Sequence, residues 1–284
     1  MALSQPRYAL EDETRQGRRD RLWAIFAINF RLRASRTFVI VFVVIGFIAT
    51  LVPLLVTVLT NQITAEFTRG STSPALSSFF APYSNFLLFL FIMLLSALAG
   101  GGIIADDLGS KSISLYLSRP ITLADYLAAK GAVVAAILGL IAVVPGVITV
   151  AVAYILGYVS GTVAIEALGV YIGLGILLTV TFASIALFLS SLSERSTWAA
   201  AGIFAFLLID DIVAGILRGV SQNVNWLYVS PWEDMVSVAR YLFGVSNNSS
   251  SINPAAALAI LIGLIICLVA ATYTRLSKME LVTE

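Results

Sequence analysis

The chain has 284 residues and a formal net charge of +1, with 59% hydrophobic and 12% charged residues. Several apolar runs reach about 18 residues, a length that marks an integral membrane protein. The near-zero net charge gives no basis for a nucleic-acid partner. The absence of His excludes His-based triads and zinc sites, and the single Cys, Cys267, excludes an internal disulfide. No metal site is predicted.

The N-terminal region is basic. Residues 1–36 contain eight Arg and no apolar run, so no cleavable signal peptide is expected. Residues 21–36 predict a helix with Trp23, Phe26 and Phe30 on one face and Arg at both ends, which is typical of a helix lying among lipid headgroups. A simple basic flank of the first span is the alternative.

The apolar runs predict an all-α fold with six transmembrane helices. The predicted spans are residues 37–60, 83–105, 128–158, 166–189, 198–217 and 255–273. The chain is therefore divided into a cytoplasmic N-terminus with an interfacial helix (1–36), a transmembrane domain (37–273) and a cytoplasmic tail (274–284).

Glycine and proline form recognisable patterns in three of these spans. Three consecutive glycines at 100–102 predict either close approach of a neighbouring backbone or a hinge. Pro145 and Gly146 predict a kink in the third span. Gly169 and Gly173 form a GxxxG pattern, which favours close helix packing but is common in membrane helices.

The distribution of Lys and Arg predicts the orientation. With a cytoplasmic N-terminus, the inner segments hold fourteen Lys and Arg and the outer segments hold three. Both termini and residues 106–130 are therefore expected in the cytoplasm of a multi-pass protein of the cell membrane. Residues 232–244 predict an amphipathic helix that lies on the outer surface as a lid. Asn247 and Asn248 each begin an Asn-x-Ser sequon on that side.

Residues 106–130 form a polar segment between two apolar runs. Pro120 disfavours a helical Arg119, so a helix over residues 107–118 is expected to stop there. Thr122 and Asp125 then predict a capping box at the start of the next helix. A short helix on the cytoplasmic face, bounded by a Pro break, is a contact site through which another protein can move the membrane helices.

Two adjacent carboxylates, Asp210 and Asp211, lie inside the fifth predicted span. Each costs roughly 2.5 to 3.5 kcal/mol in the centre of a membrane helix. An acid in this position is by default a candidate for lining a pathway or binding a cation or proton. Alternatively, the two lie in a hydrated external funnel or pair with Arg218 or Arg240.

Catalysis by the chain itself is not expected. Neighbouring residues of a helix diverge by about 100°, so Asp210 and Asp211 cannot converge on one water as an aspartyl protease dyad does. A phosphate-binding loop is also missing, since Lys111 lacks the Gly spacing that such a loop requires. If transport is driven by ATP, the ATPase is a separate subunit.

Three blocks of residues resemble a known family. The first contains Asp107, then Leu117-Ser118-Arg119-Pro120-Ile121, then Asp125-Tyr126 and Lys130. The second joins Val229-Ser230-Pro231-Trp232 to Leu242-Phe243-Gly244, and the third is Ser190-Ser191-Leu192. Over nearly its whole length, and in the order of its spans, the chain resembles the permease subunits of ABC-2-type transporters, especially the branch that includes permeases associated with copper-enzyme maturation.

The resemblance implies an ABC-2 (type V exporter-like) transmembrane domain that dimerises, with itself or with a related permease, and binds two ATP-binding subunits. The segment between the second and third spans would contain the coupling helix. Its contacts to the ATPase would be Asp107, Lys111, Leu115, Tyr116 and Arg119. Asp210 and Asp211 would lie near the outer exit of the translocation pathway. ATP and Mg would bind in the partner, and this chain would hold no cofactor.

Two other functions stay open. An ion-coupled secondary carrier would use Asp210 and Asp211 without any ATPase, although no inverted repeat between the chain halves is visible. A membrane anchor that recruits an ATPase without transporting is the third possibility. The substrate cannot be read from the sequence, because an apolar and aromatic cavity suits lipids, hydrophobic drugs or peptides, whereas two acids suit cations.

Overall fold

The computed structural model describes residues 18–67, 76–111, 122–245 and 252–282, and every regular element in these ranges is helical. The α-helices are α1 (Arg18–Ala34), α2 (Thr37–Phe67), α3 (Phe86–Gly100), α4 (Ala105–Gly109), α5 (Leu123–Ala142), α6 (Val144–Ile155), α7 (Gly161–Ser191), α8 (Ser196–Ser221), α9 (Pro231–Leu242) and α10 (Pro254–Val282). Two 3₁₀ helices cover Leu76–Ser84 and Val224–Val229.

Six helical segments are long and apolar enough to cross a bilayer. They are Thr37–Thr60, Phe86–Gly109, Leu123–Ile155, Gly161–Ser191, Ser196–Ser221 and Pro254–Lys278. The predicted all-α class with six transmembrane helices is confirmed. The second span begins later than expected, because residues 76–84 form a separate 3₁₀ helix and the Asn85 side chain then caps α3 by accepting the Leu87 amide at 3.0 Å.

The third span breaks where the sequence predicts a kink. Helix α5 ends at Ala142, and Pro145 lies in the first turn of α6. A Cβ atom on Gly146 would come within 2.4 Å of the Tyr171 ring, so only glycine lets α6 approach α7 this closely. By contrast, Gly169 and Gly173 have no neighbour within 4 Å of a Cβ position, and the GxxxG pattern mediates no close packing within the described chain.

The consecutive glycines at the end of α3 bring three helices together. A Cβ atom on Gly100 would lie 2.5 Å from the Cβ of Ala186 on α7, and one on Gly101 would lie 2.6 Å from the Cβ of Ala200 on α8. Close packing of small residues is the main source of helix association in lipid, where apolar burial gives little advantage. Helix α3 therefore lies at the centre of the bundle, whereas α2, α8 and α10 leave broad apolar faces exposed.

The two ends of the bundle differ. We call the end that carries α1, α4, the first turn of α5 and the turn between α7 and α8 the basic end. The opposite end carries Leu76–Ser84 and α9, where four aromatic side chains pack together: Phe79, Tyr83, Tyr171 and Phe243.

The prediction of a surface lid at residues 232–244 is wrong in its packing. Helix α9 has the predicted helical spacing but is packed into the bundle, with Trp232 stacked on Phe89 at 5.0 Å and Met235 fully buried. Only its last turn is exposed, at Tyr241 and Leu242.

Candidate functional site

A break in the second span shapes the basic end. Between α3 and α4 the helical hydrogen bonds are interrupted, and the amides of Ile104 and Ala105 donate instead to the Ser190 hydroxyl of α7, at 3.0 and 3.1 Å. The same hydroxyl donates to the carbonyl of Gly101 at 2.9 Å. One side chain thus satisfies three buried backbone groups, which would otherwise cost about 1–3 kcal/mol each. Ser190 is fully buried and fixes where α4 leaves the bundle.

Arg33 of α1 contacts the chain directly at this break. Its guanidinium donates to the carbonyl of Gly102 and to the Asp106 carboxylate, the latter at 2.7 Å. Arg36 approaches the same carboxylate at 3.6 Å. A Cβ atom on Gly102 would lie 2.5 Å from both the guanidinium and the carboxylate, so this third glycine leaves room for the ion pair. Burial, and then the charge of Arg36, lower the pKa of Arg33, while Asp106 opposes that shift.

Asp107 points to the other side of α4 and pairs with Lys130 of α5. The Lys130 ammonium lies 2.8 Å from the Asp107 carboxylate and donates to the Asn29 side-chain oxygen on α1 at 2.7 Å. The Tyr126 hydroxyl donates to the same carboxylate at 2.6 Å. The Lys130 side chain is 2% exposed. A charge buried so deeply is tolerated only when a partner charge and further hydrogen bonds surround it, as they do here.

These residues form one network, which we call the polar cluster: Asn29, Arg33, Asp106, Asp107, Tyr126 and Lys130. The cluster joins three helices that are distant in sequence, α1, α4 and α5. Because Asp106 binds Arg33 and Asp107 binds Lys130, a displacement of α4 must move α1 and α5 as well or break a buried ion pair.

The predicted coupling residues fall into two groups. Asp107 lies in the polar cluster, and Lys111 is exposed at the end of α4. Leu115, Tyr116 and Arg119 lie outside the described residues. The next helix begins as predicted, because the Thr122 hydroxyl accepts the Asp125 amide at 3.2 Å.

The predicted continuous helix over residues 107–118 is wrong. Helix α4 ends at Gly109, and Lys111 adopts the left-handed conformation with φ of 54°. The Ser110 hydroxyl donates to the carbonyl of Asp106 at 2.7 Å, a side-chain bond that competes with continued helix. A Cβ atom on Gly109 would lie 2.4 Å from the Glu194 carbonyl oxygen, so the turn is packed tightly against the segment between α7 and α8.

Asp210 and Asp211, on α8 toward the opposite end, have different surroundings. Among the described residues no Lys or Arg nitrogen lies within 4.0 Å of either carboxylate, so the expected alternative of pairing with Arg218 or Arg240 is not observed. Asp211 accepts the Ser230 hydroxyl at 3.0 Å, and Asp210 accepts only the Asp211 amide, at 2.8 Å. The second oxygen of Asp210 is buried without a described hydrogen-bond partner.

Helix α9 adds two further acids near these carboxylates. Burial, and then the charge of Asp211, raise the pKa of Glu233, against the effect of Arg218 and Arg240. Asp234 is 1% exposed, and neither of its oxygens has a partner among the described residues. Burial, followed by the charge of Glu233, raises the pKa of Asp234 to about 8. In the described part of the chain, no three His, Cys, Asp or Glu side chains are arranged to hold a metal ion.

Comparison with known families decides the class of this chain. The family model of the ABC-2 family transporter proteins matches residues 13–281. The chain belongs to the ABC-2 family of transporter proteins. It is therefore a multi-pass transmembrane subunit of an ABC transporter, a class that works with an ABC ATPase. No match is found among curated proteins.

The residues that resemble ABC-2 permeases in the sequence make polar contacts in the structure. Asp107, Tyr126 and Lys130 of the first block contact one another in the polar cluster. Ser190 of the third block bridges the break in the second span. Ser230 of the second block caps α9 and bonds Asp211. Each block therefore contributes a buried polar contact between helices.

Part of the polar cluster has a signal in the sequence. Lys130 lies inside an apolar run, where an ionisable residue implies a partner. The predicted coupling residues include its partner Asp107, but neither Lys130 nor Tyr126. Asn29 and Ser190 carry no comparable signal, since neutral polar residues are frequent in membrane helices.

Proposed function

We propose that this ABC-2 protein is the membrane subunit of an ATP-driven exporter, and that the segment beginning at α4 receives the motion of a separate ATPase. The polar cluster is the observation that supports this role most strongly. The start of the segment is joined to α1 by a partly buried ion pair and to α5 by a buried one, so motion applied to it would be passed to both helices. The chain would act as a homodimer, or with a related permease, carrying two ATPase subunits that bind ATP and Mg.

The orientation of the chain supports the same assignment. The Lys and Arg distribution favours a cytoplasmic basic end, which is the side where an ATP-binding subunit would dock. Leu115, Tyr116, Lys111 and Arg119 remain the proposed contacts, with two apolar side chains to be buried against the ATPase and two cations to bind its acidic groups.

Co-purification tests the docking. The chain is expressed with its ABC ATPase partner, and the ATPase retained on the affinity-tagged permease is measured. The double variant L115D/Y116D should lose the ATPase, because two carboxylates cannot be buried in an apolar contact. L242D, which places the same charge at an exposed position of the opposite end, should retain it. Wild-type retention by L115D/Y116D would refute the proposed docking segment.

We assign Asp210 and Asp211 to the translocation pathway near its outer exit. Both are half-buried on a helix whose remaining surface is largely exposed, and neither has a cationic partner among the described residues. A second copy packed on α8 would enclose this face. In vesicles, D210N should reduce ATP-driven flux without releasing the ATPase. Flux that persists without any ATPase and follows a proton or sodium gradient would instead identify an ion-coupled carrier.

A further inference from the structure

Two apolar grooves meet on the surface of α5. The larger, about 860 Å³, lies between α5, α7 and α10, and the smaller, about 450 Å³, lies between α1 and α5. Both are lined by Ala128 and Ala132, so they adjoin along this alanine row, and we treat them together as one depression. The volume of the larger groove falls within the range of roughly 300–1,000 Å³ that encloses a small-molecule ligand.

The depression is long enough for an acyl chain. Along α5 it runs from Ala124 to Ala135, about 16 Å of helix. That length is close to half of the ~30 Å hydrocarbon core, or one leaflet. It begins at the first turn of α5, at the basic end, where Tyr273 of α10 and Trp23 of α1 line the two grooves. Tyr and Trp prefer the level of the lipid headgroups.

The interior of the larger groove offers few polar contacts to a ligand. Of its four hydroxyl groups, three donate to carbonyls of their own helices: Ser184 to Thr181 at 2.8 Å, Thr272 to Leu268 at 2.7 Å and Thr274 to Ala271 at 3.1 Å; the fourth belongs to the exposed Tyr273. An occupant therefore presents an apolar body to the groove.

The rim of the smaller groove is positively charged. Arg19 lines it, and α1 as a whole contains five Arg and one Asp. A basic interfacial helix attracts anionic lipid, by about 1 kcal/mol for each Lys or Arg near the surface. An apolar groove one leaflet long with an Arg in its lining matches a phospholipid with an anionic headgroup.

A transmembrane helix of another chain fits this place less well. The exposed Ala124, Ala128 and Ala132 form a small-residue row that a helix could pack against. However, Trp23 and Phe26 of α1 face Ala128 and Ala132 across the smaller groove. Helix α1 is held there by the bond from Lys130 to Asn29. In the smaller groove, a helix about 10 Å across would have to displace α1, whereas an acyl chain would not.

We propose that this depression binds one anionic phospholipid, with its headgroup at Arg19 and an acyl chain along the alanine row of α5. The site does not depend on the proposed transport function. Because the lipid would lie between α1 and α5, it would support the same helix pair that the polar cluster joins.

Native mass spectrometry of the detergent-purified chain tests the proposal. With equal amounts of phosphatidylglycerol and phosphatidylcholine, the wild type should retain phosphatidylglycerol about fivefold better, the ratio expected from one Arg near the headgroup. R19Q should abolish that preference, and R31Q, at an exposed Arg of α1 that does not line the groove, should keep it. A132L should reduce retention of both lipids by filling the groove, whereas A205L, at an exposed Ala of α8, should not.

Three results would overturn the proposal. These are equal retention of the two lipids by the wild type, equal loss of preference in R19Q and R31Q, and unchanged retention in A132L.

A separate cross-linking test uses A128C in a C267S background. Disulfide-linked dimers of that variant in native membranes would show that a second copy, rather than lipid, occupies the depression, and their absence agrees with a lipid there.

Discussion

Two pairs of adjacent aspartates serve as a comparison within one chain. Asp106 and Asp107, at the basic end, form ion pairs with Arg33 and Lys130, the first pair partly buried and the second buried. Asp210 and Asp211, in the fifth span, have a hydroxyl and a backbone amide as their hydrogen-bond donors and no cation nearby among the described residues. The sequence motif is the same, but the first pair joins three helices. The carboxylates of the second pair are not neutralised by a described cation, so they can bind another group.

The difference separates structural charges from functional ones. Breaking a buried ion pair costs about 3–5 kcal/mol because the remaining charge has no partner. A half-buried acid without a cation adds no such stability, so folding alone does not explain its presence. The contrast predicts that identical substitutions at the two pairs have opposite effects on stability.

The largest effect is expected from D107N. The substitution leaves the Lys130 ammonium buried without a counter-charge, and we expect a loss of about 3 kcal/mol of the free energy of unfolding, at the lower end of the range for a broken buried pair. Thermal unfolding in detergent measures the loss. D210N, the same change at the other pair, should be neutral or stabilising.

A double variant tests whether the unpaired Lys130 charge causes the loss of stability in D107N. K130M combined with D107N removes both charges and should recover most of the lost stability, since an apolar residue replaces a buried ion pair at little cost. If the double variant is as unstable as D107N, or if D210N destabilises as much as D107N, the contrast between the two pairs is wrong.

The next largest loss of stability is expected from S190A. It removes the acceptor of two buried amides and the donor to Gly101, so a loss of about 2–3 kcal/mol is expected in the same unfolding measurement. S184A, on the same helix, removes only a bond to the carbonyl three residues before it and should cost much less. Equal losses in the two variants would contradict the bridging role of Ser190.

G102A should destabilise by about 1–3 kcal/mol, the usual cost of overpacking. Its Cβ atom would collide with the Arg33–Asp106 pair. G202A has open space around the new methyl group and should be neutral or slightly stabilising, since Ala favours helix over Gly. Stability in G102A equal to that of the wild type would mean that the ion pair can move aside freely.

The last prediction is a slope rather than a loss on substitution, and it concerns pH at the opposite end. The pKa of Asp234 is about 8 in the folded chain, so between about pH 4 and pH 8 the folded state holds a proton that the unfolded state has released. The free energy of unfolding therefore falls as pH rises through this window, by at most about 1.4 kcal/mol per unit, and the stabilisation is lost above pH 8.

D234N should flatten that slope, as measured by unfolding at a series of pH values. A smaller slope of the same sign should remain, because the pKa of Glu233 is also raised. D20N, at an exposed position of α1, should keep the full slope. A slope in D234N identical to that of the wild type would refute the assignment to Asp234.

The sequence predicted the membrane helices well because span length and apolar composition are local properties. It predicted the helical spacing of α9 but not its burial, because the residues that cover Trp232 and Met235 come from other helices. The polar cluster could not be predicted for the same reason, because its contacts join residues that are distant in sequence. Asn29 and Lys130 are 101 positions apart, and Arg33 and Asp106 are 73 apart. Only Lys130, a charge in an apolar run, indicated that a partner must exist.

Hydrogen–deuterium exchange of the permease bound to its ATPase tests the central claim most directly. A non-hydrolysable ATP analogue should change the protection of α1 and of the first turns of α5 in the wild type, because both are joined to the segment that begins at α4. In D107N/K130M the change should no longer reach α5. Identical nucleotide-dependent changes in the wild type and in this variant would show that the polar cluster does not transmit the motion.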